Sequence, residues 1–277
     1  MSSSLKDRVR RIYPDVPIDE NSLDVFVGLV EIQEDIASKL LGKYSDLDRE
    51  KVREVLSQGK PVLSVMELRI DDDDFASAVK RIAGYLREEL ADAREGLSKV
   101  IEAQESGQLN LSELKGAFMR GDVEAVHEAA SRVGVNHEML EAVVAWAVQP
   151  FFQAFSESVG SAVGFEGWES GRCPVCGSFT RVEVVQPDGT SLLRCQFCGA
   201  EWKYPEGKCP YCGNSDKSTL MVLGLEEDKR FGVGICRLCG NYWKMVDEGV
   251  AGTDVPRRFY DIWTLKIDLL LTGGRKG

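Results

Sequence analysis

The residues of this chain best suited to chemistry are its eight cysteines, which all lie in the last third of a 277-residue sequence. They form four Cys-x-x-Cys pairs, each followed by glycine: Cys173/Cys176, Cys195/Cys198, Cys209/Cys212 and Cys236/Cys239. Two intervening residues bring both sulfurs of a pair to the same side of a tight turn, and the glycine allows a positive φ there. Because four thiolates are a common tetrahedral donor set, the eight cysteines predict two metal sites.

The four pairs occur in an order that repeats. The first two pairs read CPVCGS and RCQFCGAEWK, and the last two read CPYCGN and ICRLCGNYWK. Such self-similarity indicates duplication of one small unit, and each unit would be complete in its own ligands. The predicted ligand sets are therefore Cys173, Cys176, Cys195 and Cys198 for one ion, and Cys209, Cys212, Cys236 and Cys239 for the other.

Metal binding competes with two other uses of cysteine. Structural disulfides are disfavoured because the N-terminal stretch MSSSLKDRVRRIYP has no secretory hydrophobic region, so we expect a cytoplasmic protein with reduced thiols. A thioredoxin-type dithiol would need one motif at a helix start in a βαβ setting, unlike four paired knuckles. Tetrahedral sulfur coordination suits both zinc and iron, so both metals stay open.

The segments between the cysteine pairs have strand character. FTRVEVV and TSLLRC flank the turn Pro187-Asp188-Gly189, and LMVLGL and RFGVGIC flank an acidic turn at 226–229. Each unit is therefore predicted to be a zinc ribbon, or rubredoxin-like knuckle pair. A ribbon this short buries little apolar area, so the metal would supply much of its folding free energy.

The first 168 residues are predicted to be helical. Apolar residues recur at helical spacing in the segments near 20–44, 46–58, 74–106, 110–119, 121–134 and 137–163. We therefore expect an α+β protein: a mainly α N-terminal domain, then two tandem rubredoxin-like or zinc-ribbon units and a C-terminal helix. The predicted domains are 1–168 (helical), 169–206 (first four-cysteine ribbon) and 207–277 (second four-cysteine ribbon with the C-terminal helix).

Two local features of the helical region have plain structural interpretations. The acidic run Asp71–Asp74 precedes FASAVKRIAGYL and lacks the spaced oxygens of a calcium loop, so we expect it to cap a helix. The apolar stretch AVVAWAVQPFFQAF at 142–155 is interrupted by Gln149, Pro150 and Gln153 and is predicted to be a buried helix with a kink or restart at the proline. No run of 18 or more apolar residues exists, so no membrane insertion is expected.

Charge is distributed unevenly along the chain. Residues 1–168 hold 19 Lys and Arg against 31 Asp and Glu, whereas residues 169–277 hold 15 against 14. Zinc ribbons that bind nucleic acid need a clustered positive field to contact phosphates. Because the basic residues here form no such cluster, nucleic acid is not an expected partner.

Residues suited to catalysis are scarce. The two histidines, His127 and His137, lie in the helical region, far in sequence from every cysteine, and we expect them to be helix-surface residues rather than general bases. No nucleophile elbow or phosphate-binding glycine loop occurs. Trp202 and Trp243 each follow a pair's second cysteine by four residues and are expected to pack beside their own metal site. The chain is therefore predicted not to be an enzyme.

The order of these motifs resembles the formate dehydrogenase accessory protein FdhE family. The resemblance extends from an acidic helical region through CPVCGS, C-x-x-C-G-x-EW, KCPYCGN and C-x-x-C-x-x-Y-x-K to the closing segment FYDIWTLKIDLL at 259–270. The Gly-x-Pro-x-Leu turn at 59–63 and the AVQPFF stretch at 147–152 match more loosely.

The resemblance implies a cytoplasmic maturation factor for formate dehydrogenase, a molybdenum or tungsten enzyme. Such a factor would bind the catalytic subunit through a metal-stapled scaffold, with the knuckle loops and the segment from Asp254 to Asp268 as expected contacts. The alternative is a rubredoxin-like electron-transfer or redox protein with iron in the four-cysteine sites.

Overall fold

The computed structural model describes residues 4–273 and divides by its internal contacts into two compact units. The helical unit comprises residues 24–43 and 68–154, and the ribbon unit comprises the described residues within 1–23, 44–67 and 155–277. This grouping brings residues 44–67 together with the cysteine-rich region, from which they are distant in sequence. The predicted domain boundaries at 168/169 and 206/207 divide the chain into parts that are expected to fold separately. These boundaries stay predictions.

The α-helices follow the sequence-predicted segments closely. In chain order they are α1 (Leu5–Val9), α2 (Glu20–Leu40), α3 (Arg49–Ser57), α4 (Asp72–Glu89), α5 (Arg94–Glu105), α6 (Leu111–Arg120), α7 (Val123–Val133), α8 (His137–Val163), α9 (Glu248–Ala251), α10 (Tyr260–Trp263) and α11 (Leu265–Leu271). The predicted helix 74–106 is two helices, because Leu90 is extended and a 3₁₀ turn follows at Ala91–Ala93. Helix α8 passes through Pro150 without a restart.

The helical unit has a core built from one face of each helix. On α4 the buried side chains include Phe75, Val79, Ile82 and Leu86, and the Phe75 ring lies 6.5 Å from that of Phe151 on α8. The acidic run caps α4 as predicted, since Asp71 Oδ1 accepts from the backbone N–H groups of the next turn. None of the helices in residues 4–273 combines the length and apolar character that a membrane span needs.

Six strands within the described residues form one mixed sheet in the ribbon unit. They are β1 (Val182–Val185), β2 (Ser191–Arg194), β3 (Glu201–Lys203), β4 (Leu220–Gly224), β5 (Phe231–Cys236) and β6 (Tyr242–Asp247), in the spatial order β3-β2-β1-β6-β5-β4. The first ribbon supplies β1 to β3 and the second supplies β4 to β6. Because β1 pairs in parallel with β6, the two ribbons share one sheet.

The C-terminal segment packs on this sheet through buried polar contacts. Lys244 of β6 is 1% exposed, and its Nζ lies 2.6 Å from an Asp268 carboxylate oxygen and 2.5 Å from one of Asp261. The Tyr242 hydroxyl donates to Asp268 at 2.7 Å. Trp263 of α10 donates its indole N–H to Asp15, near the N-terminus, at 2.9 Å. The C-terminal segment is thereby held on the sheet, and Asp15 is in turn held against that segment.

Candidate metal centres

All four knuckles of the ribbon unit share one backbone geometry. In each, the carbonyl of the first cysteine accepts from the N–H of the glycine four residues later at 2.9–3.0 Å. The N–H of the same cysteine donates to the carbonyl of the residue after that glycine at 2.8–2.9 Å. The glycines, at positions 177, 199, 213 and 240, have φ between 73° and 77°. A side chain disfavours this left-handed conformation, which explains the glycine after every pair.

The knuckles bring the eight cysteines into two groups of four. Within each group the sulfurs lie within 4.8 Å of one another; the first group is Cys173, Cys176, Cys195 and Cys198, and the second is Cys209, Cys212, Cys236 and Cys239. Each group contains the cysteines of one sequence repeat, the grouping that the duplication predicts. None of the eight, all within the described residues, forms a disulfide.

The sulfur spacing fits a tetrahedral ion. The Sγ–Sγ distances are 3.4 Å for Cys173–Cys198 and 3.5 Å for Cys176–Cys195 in the first group. They are 3.7 Å for the two corresponding pairs of the second group. Metal–sulfur bonds of about 2.3 Å in a tetrahedron place sulfurs about 3.8 Å apart. Both clusters can therefore hold a thiophilic metal ion, and the assignment of these cysteines as its ligands stays a prediction.

The first site is enclosed. Cys173, Cys195 and Cys198 are at most 2% exposed, and Cys176 is half-buried. A distant segment of the ribbon unit covers the first knuckle: the N–H of Val62 donates to the Pro174 carbonyl at 2.8 Å, and that of Leu63 donates to the Val175 carbonyl at 2.9 Å. This segment, residues 61–63, closes the site by backbone hydrogen bonds.

The second site is open on one side. Cys209 and Cys236 are buried, but Cys212 is exposed and Cys239 is half-buried. Between the last two cysteines, the Leu238 side chain is 68% exposed. An ion in this site would therefore have a thiolate ligand that faces solvent.

Two asparagine side chains donate hydrogen bonds to sulfurs of this more exposed site. The side-chain amide of Asn214 donates to Cys236 Sγ, and that of Asn241 donates to Cys239 Sγ, both at 3.5 Å. Donors aimed at sulfur stabilise the thiolate, which is the metal-binding form. Sequence reasoning missed these residues, although the signal was present: both second-repeat knuckles read Cys-Gly-Asn, whereas the first-repeat knuckles read Cys-Gly-Ser and Cys-Gly-Ala.

Burial and these donors shift the thiol pKa values in opposite directions. Burial raises the pKa of the Cys209 thiol to about 12. At Cys236 burial also acts to raise the pKa, but the backbone N–H of Cys239 and the Asn214 amide outweigh it, and the pKa falls to about 6. These donors favour the thiolate form of Cys236, which is the form that binds metal.

Trp243 packs beside the second site, as the sequence predicts. It forms a buried cluster with Cys209 and Cys236, and its indole N–H donates to Glu183 Oε2 at 2.7 Å. The Ser191 hydroxyl donates to the other oxygen of Glu183 at 2.5 Å. Burial raises the pKa of the Glu183 carboxyl, and the two hydrogen bonds oppose that shift. A carboxyl from the first ribbon thereby fixes the tryptophan of the second.

The helical unit has a separate cleft between α6 and α7. It has a volume of about 620 Å³, and its lining includes Glu113, Glu124, His127 and Arg132. The ring of His127 lies 4.0 Å from that of His137, centroid to centroid. Neither histidine belongs to a metal-binding group among the described residues.

The fold and the two sites define a class of protein: a helical region followed by paired four-cysteine ribbons on one sheet. No protein-family model matches the chain. It is 24% identical to "Protein FdhE homolog" of Aquifex aeolicus over 258 residues, which cover 91% of this chain and 84% of that protein. It is also 24% identical to "Protein FdhE" of Escherichia coli O127:H6 over 201 residues, which cover 71% of this chain and 60% of that protein's length.

A solved structure shows the same fold. The crystal structure of the FdhE protein from Pseudomonas aeruginosa matches with a TM-score of 0.63, over 100% of this chain and 94% of that one, at 19% sequence identity. The resemblance to the FdhE family, predicted from the knuckles and the closing segment, is therefore confirmed.

Proposed function

We propose that this chain is a non-catalytic, cytoplasmic accessory protein that binds the catalytic subunit of a formate dehydrogenase during maturation of that enzyme. The observation that carries the proposal is the pair of four-cysteine ribbons joined in one sheet, with one pair of knuckle loops exposed. Similarity to FdhE proteins supports the same class. A reducing compartment such as the cytoplasm keeps the thiols available for metal.

In this proposal each ribbon holds one zinc or iron ion through its four cysteines. A bound ion would cross-link two knuckles and fix their loops. A rigid loop loses little conformational entropy when it binds a partner, so the metal would favour binding without taking part in chemistry.

The knuckle loops of the second ribbon are the better candidates for the contact surface. Leu238 is exposed at the tip of one loop, and the half-buried Tyr211 ring of the other stacks on Phe179 at 5.7 Å. The segment from Asp254 to Asp268, also expected to contact the partner, has much of its surface within the fold: Phe259, Tyr260 and Trp263 are at most 2% exposed. That segment supports the sheet, and the loops remain free for contact.

A binding measurement with matched surface variants tests the proposal. The purified chain, immobilised, is expected to retain the formate dehydrogenase catalytic subunit, and Leu238→Glu is expected to weaken this binding by about tenfold or more, as loss of a central apolar contact does. The matched control is Leu270→Glu, at a side chain that is 73% exposed on α11. If the unmodified chain does not bind the subunit, and a strain that lacks it makes fully active enzyme, the proposal is wrong.

A second candidate function is electron transfer. The four-thiolate donor set suits iron as well as zinc, and the exposed Cys212 would bring an iron ion close to the surface. Replacement of any iron by zinc separates the two functions. Unchanged support of formate dehydrogenase by the zinc-loaded chain favours a scaffold, and lost support favours electron transfer.

A further inference from the structure

The two metal sites differ in solvent access much more than in geometry. Both have four sulfurs at tetrahedral spacing. In the first site the most exposed ligand is the half-buried Cys176, whereas in the second site the corresponding cysteine, Cys212, is exposed. These two residues occupy the same place in the repeat, the second cysteine of the Cys-Pro-x-Cys knuckle.

The knuckle loops show the same difference. In the first site the two residues between each cysteine pair are buried or half-buried. In the second site Pro210 and Tyr211 are likewise buried and half-buried, but Arg237 and Leu238 between the last two cysteines are exposed. The glycines Gly213 and Gly240 are exposed as well. The first site also has residues 61–63 hydrogen-bonded across its first knuckle. An incoming ligand can therefore reach the second site directly, whereas the covering segment and the deeper burial of the cysteines restrict its access to the first.

We infer that the second site is an exchangeable metal site, which takes up and releases a thiophilic ion through Cys212, while the first site releases its ion much more slowly. The inference rests on the proposal that both cysteine clusters bind metal, and it is independent of any protein partner. It gives the chain a metal-transfer capacity beyond scaffolding.

The exchange is a ligand substitution. The thiolate of a low-molecular-weight thiol, or a chelator, approaches from the solvent side and forms a bond to the ion. The bond between the ion and Cys212 Sγ breaks, and the released thiolate takes up a proton from water. No electron is transferred. Cys209 and Cys236 are both buried and would hold the ion while the exposed ligand leaves.

Metal release from the full chain tests the inference. The protein is loaded with zinc and mixed with a chromophoric chelator in excess. We expect two ions per chain, one of which leaves about tenfold or more faster, because local opening of a covered site costs free energy that an exposed site does not need. Cys212→Ser is expected to abolish the fast phase, and its matched counterpart Cys176→Ser to abolish the slow phase.

A second measurement needs no substitution, and so does not depend on whether the variants fold. Iodoacetamide added after the fast phase, followed by peptide mass mapping, is expected to label the cysteines at 209, 212, 236 and 239 and to spare those of the first repeat. Two ions that leave at one rate, or a fast phase that exposes the first-repeat cysteines, would overturn the inference and leave metal binding intact. Fewer than two bound ions would overturn the metal assignment, and the inference with it.

Discussion

In the first ribbon the knuckle glycines at 177 and 199 are half-buried, whereas in the second ribbon those at 213 and 240 are exposed. All four have the same φ to within 4° and the same two backbone hydrogen bonds. Local sequence therefore determines the shape of the knuckle and the positions of its sulfurs. Solvent access to those sulfurs is determined by residues far away in the chain, such as Val62 and Leu63.

The shared sheet limits how independent the two ribbons are. Four residues of β1 pair in parallel with four of β6, so each ribbon completes the other's hydrogen bonding. Gly171, just before the first knuckle, lies against the carbonyl of Pro210 in the third knuckle. Glu183 of the first ribbon also accepts a hydrogen bond from Trp243 of the second. We therefore expect the ribbons to share stability while they differ in metal exchange.

Removal of both ions is expected to have the largest effect. Structural zinc supplies about 10–16 kcal/mol in small zinc-binding domains, as much as or more than a typical domain's net stability. After complete chelation we expect residues 172–246 to unfold while the helices of the helical unit persist. Circular dichroism and limited proteolysis with mass mapping measure the two parts. Simultaneous loss of helical signal would contradict separate folding, and would also contradict the boundary at 168/169.

The substitution Gly171→Ala is expected to have the next largest effect. A Cβ at this position would lie 1.8 Å from the Pro210 carbonyl oxygen, so backbone would have to move. We expect a loss of about 3 kcal/mol, near the upper end for overpacking, and faster release of both ions because the clash lies between the ribbons. Urea denaturation measures the loss. The control is Gly224→Ala in β4, where no atom lies within 4 Å of the new Cβ. Equal stability of the two variants would argue against a tight ribbon contact.

Gly234→Ala addresses the second ribbon more narrowly. The new Cβ would meet the buried Trp243 indole at 2.1 Å, and this indole packs on Cys209 and Cys236. We expect a loss of about 2 kcal/mol, in the usual range for overpacking, with faster release of the exchangeable ion. Unfolding followed by tryptophan fluorescence measures the loss of stability, and the two-phase release assay measures the rate of ion release. A change confined to the slow phase would mean that the indole does not support the second site.

The sequence alone predicted much of the fold and the grouping of the cysteines. Helix positions, the strands that flank the turns at 187–189 and 226–229, and the division of the cysteines into two groups of four follow from periodicity, turn residues and the repeat. The break of the predicted 74–106 helix at Leu90 was missed because no glycine or proline marks it. Propensity alone does not detect a break that no local residue marks.

Long-range pairing was out of reach for a physical reason. The parallel β1–β6 ladder joins residues about 60 apart in sequence, and the hydrogen bonds from Val62 and Leu63 to the first knuckle span more than 100 residues. Such contacts depend on the whole fold, and local periodicity carries no information on them. Lys244 illustrates this: it is equivalent in the sequence repeat to Lys203, which is exposed, yet Lys244 is buried against Asp261 and Asp268.

The smallest expected effect concerns the cover of the first site. Val62→Pro removes the N–H that donates to the Pro174 carbonyl, while position 62 begins a 3₁₀ turn and the preceding Pro61 is already extended, so the backbone accommodates proline. Loss of one such hydrogen bond costs about 1 kcal/mol, which corresponds to a factor of about five in a local opening equilibrium. We expect the slow ion to leave about fivefold faster in the chelator assay. The fast-leaving ion of the same molecules, in the second site, is the internal control. In the described residues, the backbone hydrogen bonds of 61–63 to a knuckle all go to the first one. Acceleration of both phases would indicate general destabilisation of the sheet, and an unchanged slow phase would show that the cover does not protect the first site.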